Sequence, residues 1–130
     1  LAERIQTLLE DTEQEVVILY AGENDLAKNA SVDDVVTHIV QLVAQGTAQG
    51  KTVVVLSLKG RQKNTALRAE AVNNKARRPV TRAGGIWVDT TVCNTARNIG
   101  GDRIHYNQNG YNCLAVLANL AIFQAGETSR

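Results

Sequence analysis

The chain has 130 residues, 44% of them hydrophobic and 21% charged, with a net charge of +1 at neutral pH. That is long enough for a real core and too apolar for intrinsic disorder, so composition points to one globular domain. No apolar run reaches the roughly 20 residues that a membrane helix needs, and no basic, apolar, small-residue series marks a signal peptide at the start.

In chain order, Leu1, Ile5, Leu8 and Leu9 form a helical stripe. Residues 15–20 are a short apolar, β-branched run that predicts a buried strand ending before Gly22. Ser31 and Asp34 have the spacing of a helix cap, and Val32, Val35, Val36, Ile39, Val40 and Val43 give the following helix its apolar stripe. That helix is expected to stop around Gly46–Gly50. Thr52–Ser57 predicts a second buried strand. Residues 64–77 predict a helix, with the lone proline, Pro79, following it. Ile86–Val88 predicts a third strand, residues 90–106 a long loop, and residues 108–123 an apolar final helix with Asn107 as its N-cap.

Strands alternating with helices imply an α/β fold built on a parallel sheet. The picture is incomplete, because both apolar strand runs read as central strands yet only three strands are visible. A further segment is expected to pair with this sheet, and the isolated chain is not expected to fold stably without it. Met is absent and Leu1 does not fit a natural translation start, so the chain reads as a processed product or a piece of a longer protein.

The near-zero net charge hides an asymmetry. Residues 1–34 hold nine acids and two bases, whereas residues 58–82 hold eight bases and one acid, Glu70. The simplest reading is two solvated faces of opposite sign. Aromatic residues are scarce and not interleaved with the bases, which argues against a nucleic-acid groove. A basic-patch adaptor for an anionic polymer is a weaker reading. Cys93 and Cys113 lack metal-ligand spacing. They form either a disulfide or buried thiols, and its apolar helical setting favours the thiol for Cys113.

Two segments carry chemistry. Gly22-Glu23-Asn24-Asp25 follows the first strand, on the rim where ligands meet a parallel sheet. It reads either as a plain strand-to-helix turn or as a turn that presents the Asn24 amide to an oxyanion. Asp102 and His105 lie three residues apart before the last helix. There a carboxylate can accept from one ring nitrogen while the other faces a cleft, as a general base for a serine requires. The other readings are an ordinary surface loop or a metal site, the latter poor with only two ligands. His38 falls mid-helix and reads as structural.

Taken together, "VVILYAGENDL" and "GDRIHYNQNGYNCLAVLANLAI" resemble the G-x-N-D and terminal D-x-x-H blocks of the SGNH (GDSL-type) serine hydrolases. The resemblance spans residues 1–123 and implies a flavodoxin-like three-layer α/β/α fold with a parallel sheet, incomplete in this chain. By the same resemblance His105 is the general base and acid, Asp102 its orienting partner, Asn24 the oxyanion-hole amide and Gly22 the turn residue that presents it. No cofactor or metal is implied.

Residues 1–130 would be the C-terminal part of one such domain, because the Gly-Asp-Ser nucleophile block and the oxyanion glycine have no counterpart here. The serines present are Ser31, Ser57 and Ser129, and none sits in such a motif. The family usually has Pro after the histidine. Here it is Tyr106, a departure that loosens or reshapes the loop but leaves the Asp–His geometry possible.

The implied substrates are simple esters or acetylated carbohydrates, with a complementary polypeptide completing the sheet. The implied setting is secreted or extracellular, which the residues themselves do not fix. A non-catalytic module of the same fold that binds a glycan or supports a larger assembly is the competing function.

Overall fold

The computed structural model describes residues 16–20, 28, 30–60, 63–101 and 105–128. The N-terminal helical stripe therefore lies outside the described residues. Three parallel strands, β1 (Val16–Leu19), β2 (Thr52–Leu56) and β3 (Ile86–Val88), lie side by side in that order. Val16 pairs with Thr52 and Leu19 with Val55, while Val54 pairs with Ile86 and Leu56 with Val88. Parallel neighbours cannot be joined by a tight turn, and helices α1 (Val32–Ala48) and α2 (Lys63–Arg82) make the two crossovers.

The alternating side chains of β2 feed two separate cores. Val53 and Val55 pack with Val35, Ile39 and Val43 of α1 and Ala69, Val72, Ala76 and Val80 of α2. Val54 and Leu56 face the opposite way, toward Leu114 and Ala118 of the final helix α3 (Gln108–Thr128). The result is the three-layer α/β/α arrangement expected from the sequence. Val53 and Val54 are both completely buried, which is why β2 is apolar throughout instead of alternating.

The cap anticipated for α1 is present, with the Ser31 hydroxyl accepting from Asp34 N at 3.0 Å and Asp33 and Asp34 in the first turn, where the helix dipole favours acids. For α2 the expectation requires correction. The helix runs through Pro79 to Arg82 instead of ending before the proline. Pro79 removes one backbone donor, but Ala69, Val72, Ala76 and Val80 continue a single buried stripe across it. Burying Val80 outweighs that loss, and the helix stops at Gly84, which adopts φ +93°. The final helix likewise extends beyond residue 123, to Thr128.

Two polar clamps fix the carboxyl ends of the strands. The Asn73 side chain accepts from Leu58 N at 2.9 Å and donates to Leu58 O at 2.8 Å, tying α2 to the segment after β2. Beside it, Thr90 N donates to Ser57 Oγ at 2.8 Å, and the two hydroxyls lie 2.9 Å apart with both residues buried. The Ser57 side chain thereby joins the ends of β2 and β3.

Among the described residues, the sheet keeps apolar surface exposed at its β1 edge. Ile18 on β1 is adjacent to the buried Val54 on the same face, yet it is 48% exposed. On α3, Val116, Leu120 and Phe123 form an exposed stripe, Phe123 at 64%. Apolar surface clustered in this way marks a contact face rather than scattered exposure. Replacing Leu120 and Phe123 by Lys is expected to reduce binding of a hydrophobic dye and self-association of the chain, measured by fluorescence and light scattering. Unchanged values would contradict the assignment of this face.

Candidate active site

Gly22, Asn24 and Asp102 lie outside the described residues. His105 is described, with its side chain at the surface. Among the described residues no cluster of His, Cys, Asp or Glu is arranged to hold a metal ion.

The segment leading to His105 is closely held. Short helical turns at Thr91–Cys93 and Ala96–Asn98 shape its first half. Its second half folds back on itself through an antiparallel bridge between Ile99 and Tyr106. Gly100 N donates to the carbonyl of His105 at 2.8 Å, and Asn107 N donates to Asn98 O at 2.9 Å. The backbone of His105 is thus fixed while its ring faces outward.

Asn107 ends the segment and begins α3. Its Oδ1 accepts from Gly110 N at 3.0 Å, the N-cap role anticipated from sequence, and its Nδ2 donates to Arg97 O at 2.8 Å. Gly110 is required at this junction. A Cβ there would lie 2.4 Å from Asn98 O and 2.8 Å from the Cβ of Tyr106.

Tyr106 shows what the departure from proline accomplishes. It is 5% exposed and belongs to the core between α3 and the sheet. Its ring lies 6.2 Å from that of Tyr20 and 6.1 Å from that of Tyr111, within the range of favourable tilted contacts. The Lys59 ammonium sits 5.3 Å from the ring centroid, and the phenol donates to Asn94 Oδ1. Tyr106 anchors the loop rather than loosening it.

Tyr20 and Lys59 follow β1 and β2, so Tyr106, the residue after His105, is held near the carboxyl ends of those strands. Tyr20 is also two residues before Gly22. One ring contact therefore joins the approach to the G-x-N-D segment with the residue beside His105. The sequence signal for Tyr106 was a lone aromatic where the resemblance expects proline, and its burial was not foreseen.

A covalent tie reinforces the loop. Cys93 and Cys113 form a disulfide with Cα atoms 5.8 Å apart, which corrects the expectation of a thiol at Cys113. The apolar setting of Cys113 is real, but it lies near the start of α3, where the helix passes the buried Cys93. The bridge encloses His105 in a 20-residue span.

Removing the bridge with Cys93→Ser and Cys113→Ser is expected to cost about 2–4 kcal/mol through the freed loop entropy. Gly110→Ala is expected to cost about 1–3 kcal/mol by overpacking against Asn98 and Tyr106. Denaturant titration of each variant checks both, and wild-type stability in either would contradict the corresponding constraint.

No family model matches the sequence, and no curated protein matches it. Solved structures do match the fold. A GDSL-like lipase from Bacteroides thetaiotaomicron aligns with a TM-score of 0.80 at 17% identity, over 95% of this chain and 69% of the other. A protein assigned as an acylhydrolase from Bacteroides fragilis gives 0.82 at 17% identity, over 95% and 68%. A catalytic mutant of an acetylxylan esterase from Geobacillus stearothermophilus gives 0.73 at 14% identity, over 93% and 67%. This chain thus has the fold of the SGNH (GDSL-type) hydrolases, and about a third of each of these neighbours lies outside the matched region.

Proposed function

We propose that this chain is the C-terminal part of an SGNH-type serine esterase acting on acyl or acetyl esters, including acetylated carbohydrates. The observation that carries the reading is the packing of Tyr106 against Tyr20, which binds the His105 loop to the segment entering Gly22 and Asn24 across 86 positions of sequence. The fold shared with esterases and an acetylxylan esterase supports the reaction class. The apolar stripe on α3 and the exposed Ile18 support a further polypeptide segment on that side, which would supply the missing strands and the nucleophile.

In this reading a serine on the complementary segment attacks the ester carbonyl. His105 takes the serine proton, with Asp102 accepting a hydrogen bond from its other ring nitrogen and stabilising the imidazolium. The Asn24 amide donates to the oxyanion as the carbonyl oxygen gains charge, on the turn that Gly22 permits. His105 returns the proton to the leaving alcohol, and water then releases the acid by the same route. No cofactor is needed. Among the described residues no helix is long and apolar enough to cross a membrane.

The expected outcome is that native material hydrolyses short acyl esters. His105→Ala should abolish turnover, and Asn24→Ala should lower kcat by about 10²–10³, the effect of losing one oxyanion donor. Full turnover by His105→Ala would remove the assignment. The alternative is a non-catalytic glycan-binding module of the same fold, favoured by the absence of a Gly-Asp-Ser motif from these 130 residues.

A further inference from the structure

A cavity of about 390 Å³ opens at the carboxyl ends of β2 and β3, against the middle of α2. Among the described residues, His105 is not part of its lining. Its volume falls in the roughly 300–1,000 Å³ range of small-ligand sites, and its position at parallel strand ends is where α/β sheets bind ligands.

The chemistry of the walls narrows the ligand. Among the described lining residues, Lys59 and Arg77 are opposed by Glu70 and Asp89, so their formal charges cancel. A phosphate or polyanion site needs an excess of positive charge, which the described lining lacks. An acyl chain needs apolar walls, whereas Asn74 and Asn94 present amides here alongside those charged groups. Amides, a guanidinium and carboxylates supply donors and acceptors side by side, as a set of neighbouring hydroxyls requires. The half-buried Trp87 adds an indole surface, against which the C–H face of a sugar ring can pack.

Two of the walls are held in place. Asn73 holds Leu58, as described above, and the Asp89 carboxylate accepts from Thr91 N at 2.9 Å and from the Thr91 hydroxyl at 2.6 Å. Those two bonds, with a smaller contribution from Arg77, hold the Asp89 carboxyl below its ordinary pKa. The cavity is also adjacent to the His105 loop, because Asn94 accepts the Tyr106 phenol and Lys59 lies over the Tyr106 ring.

We propose that this cavity is a subsite for one neutral sugar residue of a glycan, placed beside the loop that carries His105. The sugar-binding assignment stands on the lining, while its role in feeding an ester to His105 rests on the esterase reading above.

Trp87 is the sole tryptophan of the chain, so its emission reports on the cavity directly. Native protein is titrated with unacetylated xylotetraose and cellotetraose, with calorimetry as the second readout. At least one oligosaccharide is expected to give a saturable response. Asn74→Ala with Arg77→Ala, both exposed on α2, is expected to weaken affinity by about tenfold or more, the scale of losing ligand hydrogen bonds. Arg78→Ala, exposed on the same helix but outside the cavity, is expected to bind as wild type.

Binding that survives in His105→Ala supports a site separate from the proton-transfer chemistry. Equal binding by the double variant would overturn the subsite, as would no response to either oligosaccharide. A protein that cleaves acetate esters but binds neither sugar refutes the subsite and leaves the esterase reading intact. One that binds sugar in the cavity but cleaves no ester does the reverse.

Discussion

Strand β2 has no face or edge left for solvent along its apolar stretch, since β1 and β3 flank it and apolar layers cover Val53 and Val55 on one side and Val54 and Leu56 on the other. Burying backbone that deeply is tolerable only if its polar groups are paired, which the parallel ladders on both sides accomplish. Both crossover helices pack on one face of the sheet, leaving the opposite face to α3. The connection from β3 to α3, which carries His105, must therefore pass around the carboxyl ends of the strands.

A connection of that length would sample many conformations if only its ends were held. Here it is held at several points by interactions of different kinds. The disulfide ties Cys93 to α3, Tyr106 enters the core between helix and sheet, and Asn107 serves at once as helix cap and loop brace. The contact surfaces interlock at Gly110, where no side chain fits between Asn98 and Tyr106. These restraints leave His105 at the surface on a fixed backbone.

Much of this was legible because the signals were local. The runs VVIL, TVVVL and IWV mark the three strands, and Ser31 and Asn107 cap the helices that their positions predict. What escaped sequence reasoning depended on tertiary context. The stripe through Ala76 and Val80 carries α2 across Pro79 because the sheet rewards burying Val80 more than the lost backbone bond costs. The Cys93–Cys113 pairing depends on where α3 crosses the loop, a relation between elements that spacing alone does not encode. Tyr106 was seen only as a missing proline, since its partners Tyr20, Lys59 and Asn94 come from three separate regions of the chain. Of the candidate site, the His105 position is described structurally, while Gly22, Asn24 and Asp102 rest on motif spacing and resemblance.

Val116, Leu120 and Phe123 on α3 and Ile18 on β1 remain exposed apolar surface, of the kind that marks a contact face. The most direct measurement of the central claim is treatment of the native material with a fluorophosphonate, followed by intact-mass analysis of every polypeptide present. The account predicts a single adduct on a serine outside these 130 residues, formed in the wild type and lost when His105 is replaced by Ala. Absence of any adduct on a folded sample, or labelling that persists without His105, would contradict it.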